Sequence, residues 1–244
     1  MKSRRQFVME GTLAATALLA THHLKAFASF VSPLPSTSKV GFGHYNNHLV
    51  FLHSSEISHT GNHAVMSYMK NMQAEVPNTI LINTGTGQPQ ARNFDVVSGE
   101  NKGVVDDHYK IITKGGIATG VVYAAANDDE VIKNADQLAR YLKQEKNCQV
   151  VVCISQLGHK NKYMPDDITL AAESTNIDVI INGHETNFLP KTMILPNSTK
   201  NEVIIQSSKG NPNACAKLEI CFDNDGNKKH VHLATKLYKN IGTS

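Results

Sequence analysis

Two histidine-bearing turns are the most informative feature of this 244-residue chain. The apolar run at 177–181 is typical of a buried strand, and it leads through an Asn-Gly pair into His184. A second apolar run, at 150–154, leads into Gln156 and His159. Ligands of open α/β sheets bind at the carboxyl ends of the strands, so these two turns predict a metal or phosphate site.

Apolar periodicity predicts strands and helices in alternation, followed by a tail richer in strands, and therefore an α/β fold, a mixed sandwich flanked by helices. The polar, glycine-rich residues 84–107 are predicted to form a long loop. Asp128 or Asp129 is expected to cap the second helix, and Asp166-Asp167 the third. We expect strands at 48–54, 79–83, 108–113, 117–126, 149–154, 177–181, 202–206, 214–222 and 231–238, and helices at 61–75, 128–146 and 166–175.

The first residues, 1–28, are typical of a twin-arginine signal peptide. Ser3-Arg4-Arg5-Gln6-Phe7-Val8 carries the arginine pair, 12–20 is a short apolar stretch, and Ala26-Phe27-Ala28 resembles a cleavage site. We therefore expect a bacterial protein that is exported by the twin-arginine pathway and is periplasmic or extracellular.

The rest of the chain is expected to comprise a linker at 29–46 and one domain at 47–240. The formal net charge is +3, and the whole positive excess lies within 1–28. The mature chain therefore lacks the basic balance that predicts nucleic-acid binding. The stretch at 12–20 is too short for a comfortable membrane span, so no membrane attachment is expected after signal cleavage.

Four cysteines, Cys148, Cys153, Cys215 and Cys221, form no C-x-x-C pair, which argues against a zinc knuckle. Cys215 and Cys221 are evenly spaced on a predicted strand and would share one face. An oxidising compartment permits a bridge. Buried free thiols are the favoured expectation, with a disulfide as the alternative.

Four segments follow one another along the chain: HLVFLHSSEISHTG, EVPNTILINTGTG, VVVCISQLGHK and NIDVIINGHETNF. In the same order, they resemble the opening strand, the second strand and two late turns of the metallophosphoesterase superfamily of the 5'-nucleotidase type. The resemblance implies a metallophosphoesterase-like mixed β-sandwich flanked by helices. It also implies hydrolysis of nucleotides or other phosphate esters with two divalent metal ions.

The family's metal ligands are largely replaced in this sequence. His184 stands at a family ligand position, and the segment that should carry a Gly-Asn-His-Glu turn, with its general acid, is missing. By the resemblance, Glu56 takes the place of the first Asp and could still ligate. The other positions hold poorer ligands: Ser58 for the first His, Thr86 for the bridging Asp, Gln156 for the penultimate His and Thr186 for the last ligand.

Two dications close together need several carboxylates to offset their repulsion, so a full dinuclear pair is not expected. The candidate metal residues are His184, Glu56, Gln156 and His159, and the candidate metal is Zn, Mn or Fe. His59, His63 and Glu185 lie near the same turns in sequence and are possible replacement ligands. No catalytic residue is assigned.

Two hypotheses about function follow. The first is an exported 5'-nucleotidase-like metallophosphatase with a degraded metal site. The second is a catalytically inactive relative that binds a phosphorylated ligand or a partner protein. In either case the expected ligand is a nucleotide or another small phosphorylated molecule, and a separate chain could supply the contacts that grip the nucleotide base.

Overall fold

The computed structural model describes residues 48–54, 63–85, 94–97, 109–125, 130–159, 165–183, 191–207, 214–224 and 226–237. Within these ranges the chain forms eleven strands and three helices. The strands are β1 (His48–Ser54), β2 (Thr79–Asn83), β3 (Val96–Val97), β4 (Tyr109–Lys114), β5 (Ile117–Ala124), β6 (Val150–Ser155), β7 (Val179–Asn182), β8 (Met193–Pro196), β9 (Glu202–Ser207), β10 (Ala214–Phe222) and β11 (Lys228–Leu237), and the helices are α1 (His63–Glu75), α2 (Val131–Gln144) and α3 (Asp167–Glu173).

The strands build two mixed sheets. The first has the order β11-β10-β1-β2-β3, and β1 runs parallel to β2 but antiparallel to β10. The second has the order β4-β5-β6-β7-β9-β8, with β5, β6, β7 and β9 parallel and antiparallel strands at both edges. Parallel neighbours end on one side of their sheet, so each sheet presents a row of strand carboxyl ends.

Alternate residues of the strands face opposite sides, and this pattern creates three apolar layers. In β1, Leu49 and Phe51 join the core cluster shared by the two sheets. Val50 and Leu52 of the same strand pack with Val65 of α1 in a second cluster. A third cluster lies on the other face of the second sheet, where α2 and α3 cover β6 and β7. This is the helix-flanked sandwich that the sequence predicts.

The predicted strand bounds at 48–54, 79–83 and 214–222 are confirmed, and the other predicted elements shift by a few residues. The prediction of one long loop at 84–107 is wrong, because β3 pairs with β2 inside it. Asp95 holds that pairing: its amide donates to the Leu81 carbonyl at 3.0 Å, and its Oδ2 accepts from the Leu81 amide at 2.9 Å.

Strand β8 was not predicted. It has four residues, ends at Pro196 and is an edge strand that pairs only with β9 among the described strands. The cap of α2 also differs, since the residue before the helix is Glu130, which makes no side-chain capping bond. Asp128 and Asp129 lie outside the described residues.

The prediction for the third helix is half right. Asp166 is its cap and accepts from the Thr169 amide at 2.7 Å, as expected. Asp167 instead turns into the protein and is fully buried.

All four cysteines lie in described residues and are buried free thiols, as the sequence favoured. None of the described helices is both long and apolar enough to cross a membrane.

Candidate functional site

The carboxyl ends of strands from both sheets meet around Thr84, the residue after β2. The Thr84 amide donates to the Ser54 carbonyl at the end of β1, at 2.9 Å. Gln156, which follows β6, donates from Nε2 to the Thr84 carbonyl at 3.4 Å. One buried residue of the first sheet therefore contacts the turn that follows β6 in the second sheet.

Gly183, which follows β7, completes this meeting point. A Cβ atom placed on Gly183 would lie 2.8 Å from the Thr84 carbonyl oxygen and 2.5 Å from Gln156 Nε2. Both separations are shorter than real Cβ contacts, so only glycine allows these three turns to pack this closely. We call Thr84, Gln156 and Gly183 the edge cluster.

His53, near the end of β1, is a completely buried histidine of the layer between the sheets. Its Nε2 lies 3.0 Å from Oε1 of Gln206, at the end of β9. Gln206 donates from Nε2 to the Lys217 carbonyl at 3.4 Å, so its Oε1 is the acceptor and His53 Nε2 carries the proton. Burial lowers the pKa of His53 to about 4, only partly offset by this hydrogen bond, and the ring is neutral at pH 7.

Asp167 ties the ends of two neighbouring strands together from α3. Its Oδ1 accepts from Ser155 Oγ at 2.5 Å, and its Oδ2 accepts from Asn182 Nδ2. Burial raises the pKa of Asp167 to about 6, and the charge of Asp166 adds to the increase. The two hydrogen bonds act in the opposite direction because they stabilise the carboxylate.

The candidate metal residues fall into two groups. Gln156 and His159 are described: both are half-buried and lie in the turn after β6, with Gln156 in the edge cluster. Glu56 and His184 lie outside the described residues, as do His59 and Glu185. His63 begins α1. The four-residue ligand set therefore stays a prediction.

A dinuclear metal centre does not fit the described residues. No group of three or more His, Cys, Asp or Glu side chains in these ranges could hold a metal ion. The side chains of the edge cluster are the Gln156 amide and the Thr84 hydroxyl, which supply no negative charge to offset two dications. The buried carboxylate of Asp167 accepts from Ser155 and Asn182. What this arrangement can offer is hydrogen bonding from neutral donors to an anionic group.

Sequence reasoning did not find the roles of His53 and Asp167. Side chains alternate between the two faces of a strand, so the apolar pattern of β1 already places His53 on the face between the sheets. The sequence could therefore have indicated its burial. The partners of Asp167 lie on β6 and β7, 12 and 15 residues away, and only the packed helix brings them together.

Comparisons with known proteins define the class of fold. No protein-family profile and no curated protein sequence matches the chain. Solved structures do match. A 5'-nucleotidase precursor from Thermus thermophilus is 14% identical over 78% of this chain and 54% of that one, with a TM-score of 0.55. An NAD nucleotidase from Haemophilus influenzae is 12% identical over 78% of this chain and 50% of that one, with a TM-score of 0.57.

A hypothetical protein, also from Thermus thermophilus, matches along its whole length, at 9% identity over 79% of this chain, with a TM-score of 0.52. This chain spans about half the length of the two nucleotidases. At these identities the likeness concerns the fold, and it confirms the predicted class: a mixed α/β fold of the metallophosphoesterase type, shared with 5'-nucleotidases.

Proposed function

We propose that this protein is an exported 5'-nucleotidase-like relative that binds a nucleotide or another small phosphate ester at the edge cluster. We further propose that its metal site is too reduced for two-metal hydrolysis. The observation that carries this proposal is the convergence of turns from both sheets on Thr84. Ligands of α/β sheets bind at such strand ends.

The polar groups of the edge cluster suit a phosphate group better than a cation pair. The Gln156 side chain supplies N–H donors in a half-buried turn, and amide donors bind phosphate oxygens through charge-assisted hydrogen bonds. Such bonds are worth about 1.5–3 kcal/mol each, so a few of them hold a phosphate ester without a metal.

A second candidate is weak phosphoester hydrolysis that uses a single divalent metal, with Zn, Mn or Fe as the candidates. One observation favours it: the segments that carry Glu56 and His184 leave the described fold at Ser54 and Gly183, and both of those residues contact Thr84. In this candidate Glu56, His184 and His159 would hold the metal, which would supply Lewis-acid chemistry for a bound phosphate ester.

Ligand binding tests the first candidate. We would titrate the purified protein with adenosine 5'-monophosphate in a calorimeter, beside Gln156→Ala and Gln149→Ala. Gln149 precedes β6 at its opposite end, where its Oε1 accepts from the Ala118 amide. We expect Gln156→Ala to weaken binding roughly tenfold, the loss of one hydrogen bond to a charged group, and Gln149→Ala to leave it unchanged. Absence of binding by the unmodified protein at millimolar ligand would reject the proposal.

Metal content separates the two candidates. The protein would be purified without chelator, supplied with Zn or Mn, and compared with Glu56→Gln and His184→Ala. About one metal ion per chain that disappears in both variants, together with phosphate release from the nucleotide, supports the single-metal enzyme. Metal at the level of the variants, with nucleotide binding intact, supports the binding protein.

Export is a separate proposal, supported by the arginine pair and the cleavage-like site near the N-terminus. In a bacterial host the full chain is expected in the periplasmic fraction. Replacing Arg4 and Arg5 together by Lys should keep it in the cytoplasm. Equal distribution of the two proteins would contradict the twin-arginine route.

A further inference from the structure

We propose that Asp167 is a positioning residue that locks the turns after β6 and β7 to each other, so that both sides of the edge cluster hold one geometry. The proposal rests on the proposed function only in that the edge cluster is the ligand site. The link itself is a property of the described residues and can be tested without any ligand.

The carboxylate of Asp167 joins the last residues of two adjacent parallel strands. Ser155 ends β6 and donates to Oδ1 at 2.5 Å, while Asn182 ends β7 and donates to Oδ2. Each strand is followed at once by a member of the edge cluster, Gln156 or Gly183. One side chain therefore contacts both strands at the point where they enter the candidate site.

The same network extends into the turns themselves. Ser155 Oγ, while donating to Asp167, accepts from the Leu157 amide at 3.1 Å. The Asp167 amide donates to the Gly158 carbonyl at 2.9 Å, and the Gly183 amide donates to the Ser155 carbonyl at 2.8 Å. Movement of the carboxylate would disturb hydrogen bonds in both turns.

A buried carboxylate is less favourable in free energy than apolar packing for holding a helix on a sheet. Apolar side chains of α3, such as Leu170 and Ala171, already pack against this face of the second sheet. A fully buried acid loses its hydration unless its oxygens are well paired, and replacing such groups by apolar ones is often stabilising. The carboxylate of Asp167 instead supplies two hydrogen-bond acceptors, one for each strand. Because hydrogen bonds are directional, they fix the positions of the strand ends.

Among the described residues, the titratable groups that act on Asp167 or respond to its charge are Asp166 of its own helix and Cys153 of β6. The charge of Asp166 raises the pKa of Asp167, and the charge of Asp167 raises the pKa of the buried Cys153 thiol further above its ordinary value. Both acids lie within one helical turn, but their contacts differ. The Asp166 carboxylate accepts from the amide and hydroxyl of Thr169, at 2.7 and 2.8 Å, inside the helix.

Asp166 therefore offers a matched control. We would compare Asp167→Asn with Asp166→Asn, each of which removes one carboxylate from the start of α3. Two further variants test the two hydrogen bonds of Asp167 separately. Ser155→Ala removes the donor from β6, and Asn182→Ala removes the donor from β7. The first measurement is amide hydrogen exchange of the full chain without ligand, followed at Leu157 and Gly183. The second is the affinity for adenosine 5'-monophosphate.

In Asp167→Asn we expect the Leu157 and Gly183 amides to exchange roughly tenfold faster or more, with exchange in β1 and β10 unchanged. Asp166→Asn should leave both amides as they were. Ser155→Ala should accelerate Leu157 more than Gly183, and Asn182→Ala should do the reverse. Nucleotide affinity should fall about tenfold in Asp167→Asn and remain unchanged in Asp166→Asn.

Two results would overturn the inference. One is unchanged exchange at both turns in Asp167→Asn. The other is uniformly faster exchange across the whole fold, since that would make Asp167 a general contributor to stability and not a link between turns. If the unmodified protein fails to bind the nucleotide, the proposed function fails, while the exchange pattern still decides the role of Asp167.

Discussion

Lys228, the first residue of β11, donates from Nζ to Oδ1 of Asp178 at 2.6 Å. Asp178 immediately precedes β7, so this ion pair joins the two sheets at the end of the sandwich opposite the edge cluster. The other oxygen of Asp178 contacts Lys143 Nζ of α2 at 2.7 Å and accepts from the Val151 amide at the same distance. One carboxylate thus links both sheets and a helix.

Asp178→Asn should destabilise the fold by about 2–4 kcal/mol, because it leaves two ammonium groups without their counter-charge in a nearly buried position. The unfolding free energy would be measured by urea denaturation. The control is Glu130→Gln, which breaks an exposed pair with Lys133 whose side chains are 63% and 61% exposed. That change should cost less than about 0.5 kcal/mol. Equal effects of the two variants would contradict the role given to Asp178.

Gly183→Ala should separate the turns of the edge cluster. Its Cβ would meet the Thr84 carbonyl oxygen at 2.8 Å, and a backbone atom cannot rotate away as a side chain can. We expect a loss of about 1–3 kcal/mol of stability by urea denaturation and weaker nucleotide binding. Adding Gln156→Ala removes the nearer contact but leaves the carbonyl, so the double variant should recover only part of the loss. Full recovery would show that the Gln156 side chain alone requires glycine at this position.

His53 and Asp167 should make the stability of the protein depend on pH in opposite directions. The pKa of His53 falls from 6.5 when unfolded to about 4 when folded, and that of Asp167 rises from 3.8 to about 6. Between about pH 4 and pH 6, unfolding takes up a proton at the histidine and releases one at the aspartate. The histidine therefore makes stability rise with pH, the aspartate makes it fall, and the two slopes offset each other.

Single variants should reveal separately the pH dependence of stability that each residue contributes. In Asp167→Asn the contribution of His53 is no longer offset, and it should lower the stability by about 3 kcal/mol as the pH drops from 6.5 to 4. In His53→Gln the contribution of Asp167 is no longer offset, and it should raise the stability by a similar amount as the pH drops from 6 to about 4. Urea denaturation across this range, compared with the unmodified protein, measures both. Slopes of the same sign in the two variants would rule out this account.

The four cysteines should be unreactive in the folded protein and reactive once it unfolds. All are buried, and burial raises the pKa of the Cys153 thiol far above its ordinary value, so the nucleophilic thiolate is scarce. With Ellman's reagent we expect little colour in buffer and all four thiols in urea. Two missing thiols that return after reduction would instead reveal a disulfide.

Much of the fold could be predicted from local sequence pattern. Strands β1, β2 and β10 have the predicted bounds because each is a run of apolar or alternating residues that carries its own signal. Strand β3 could not be found in this way, since two valines show no periodicity. It is recognised by its pairing with β2, beside which Asp95 accepts from the Leu81 amide. Strand β8 is equally hard to find, because it is a short edge strand beside β9.

The candidate site, too, was predictable in part from the sequence. The turns after β6 and β7 were found from sequence because a buried strand that ends in polar residues is a local feature, and Gln156 and His159 do lie there. That a Gln156 amide contacts the carbonyl of Thr84, 72 residues away, was not predictable. Neither was the convergence of Ser155 and Asn182 on Asp167.

The sequence by itself determined the class of fold, most of the strands and helices, and the turns after β6 and β7 that form the candidate site, because hydrophobic periodicity is a property of neighbouring residues. Only the tertiary structure decided which polar side chains meet. Those contacts depend on how the two sheets pack and on the few ångströms left beside Gly183, and both are set by residues distant in the chain.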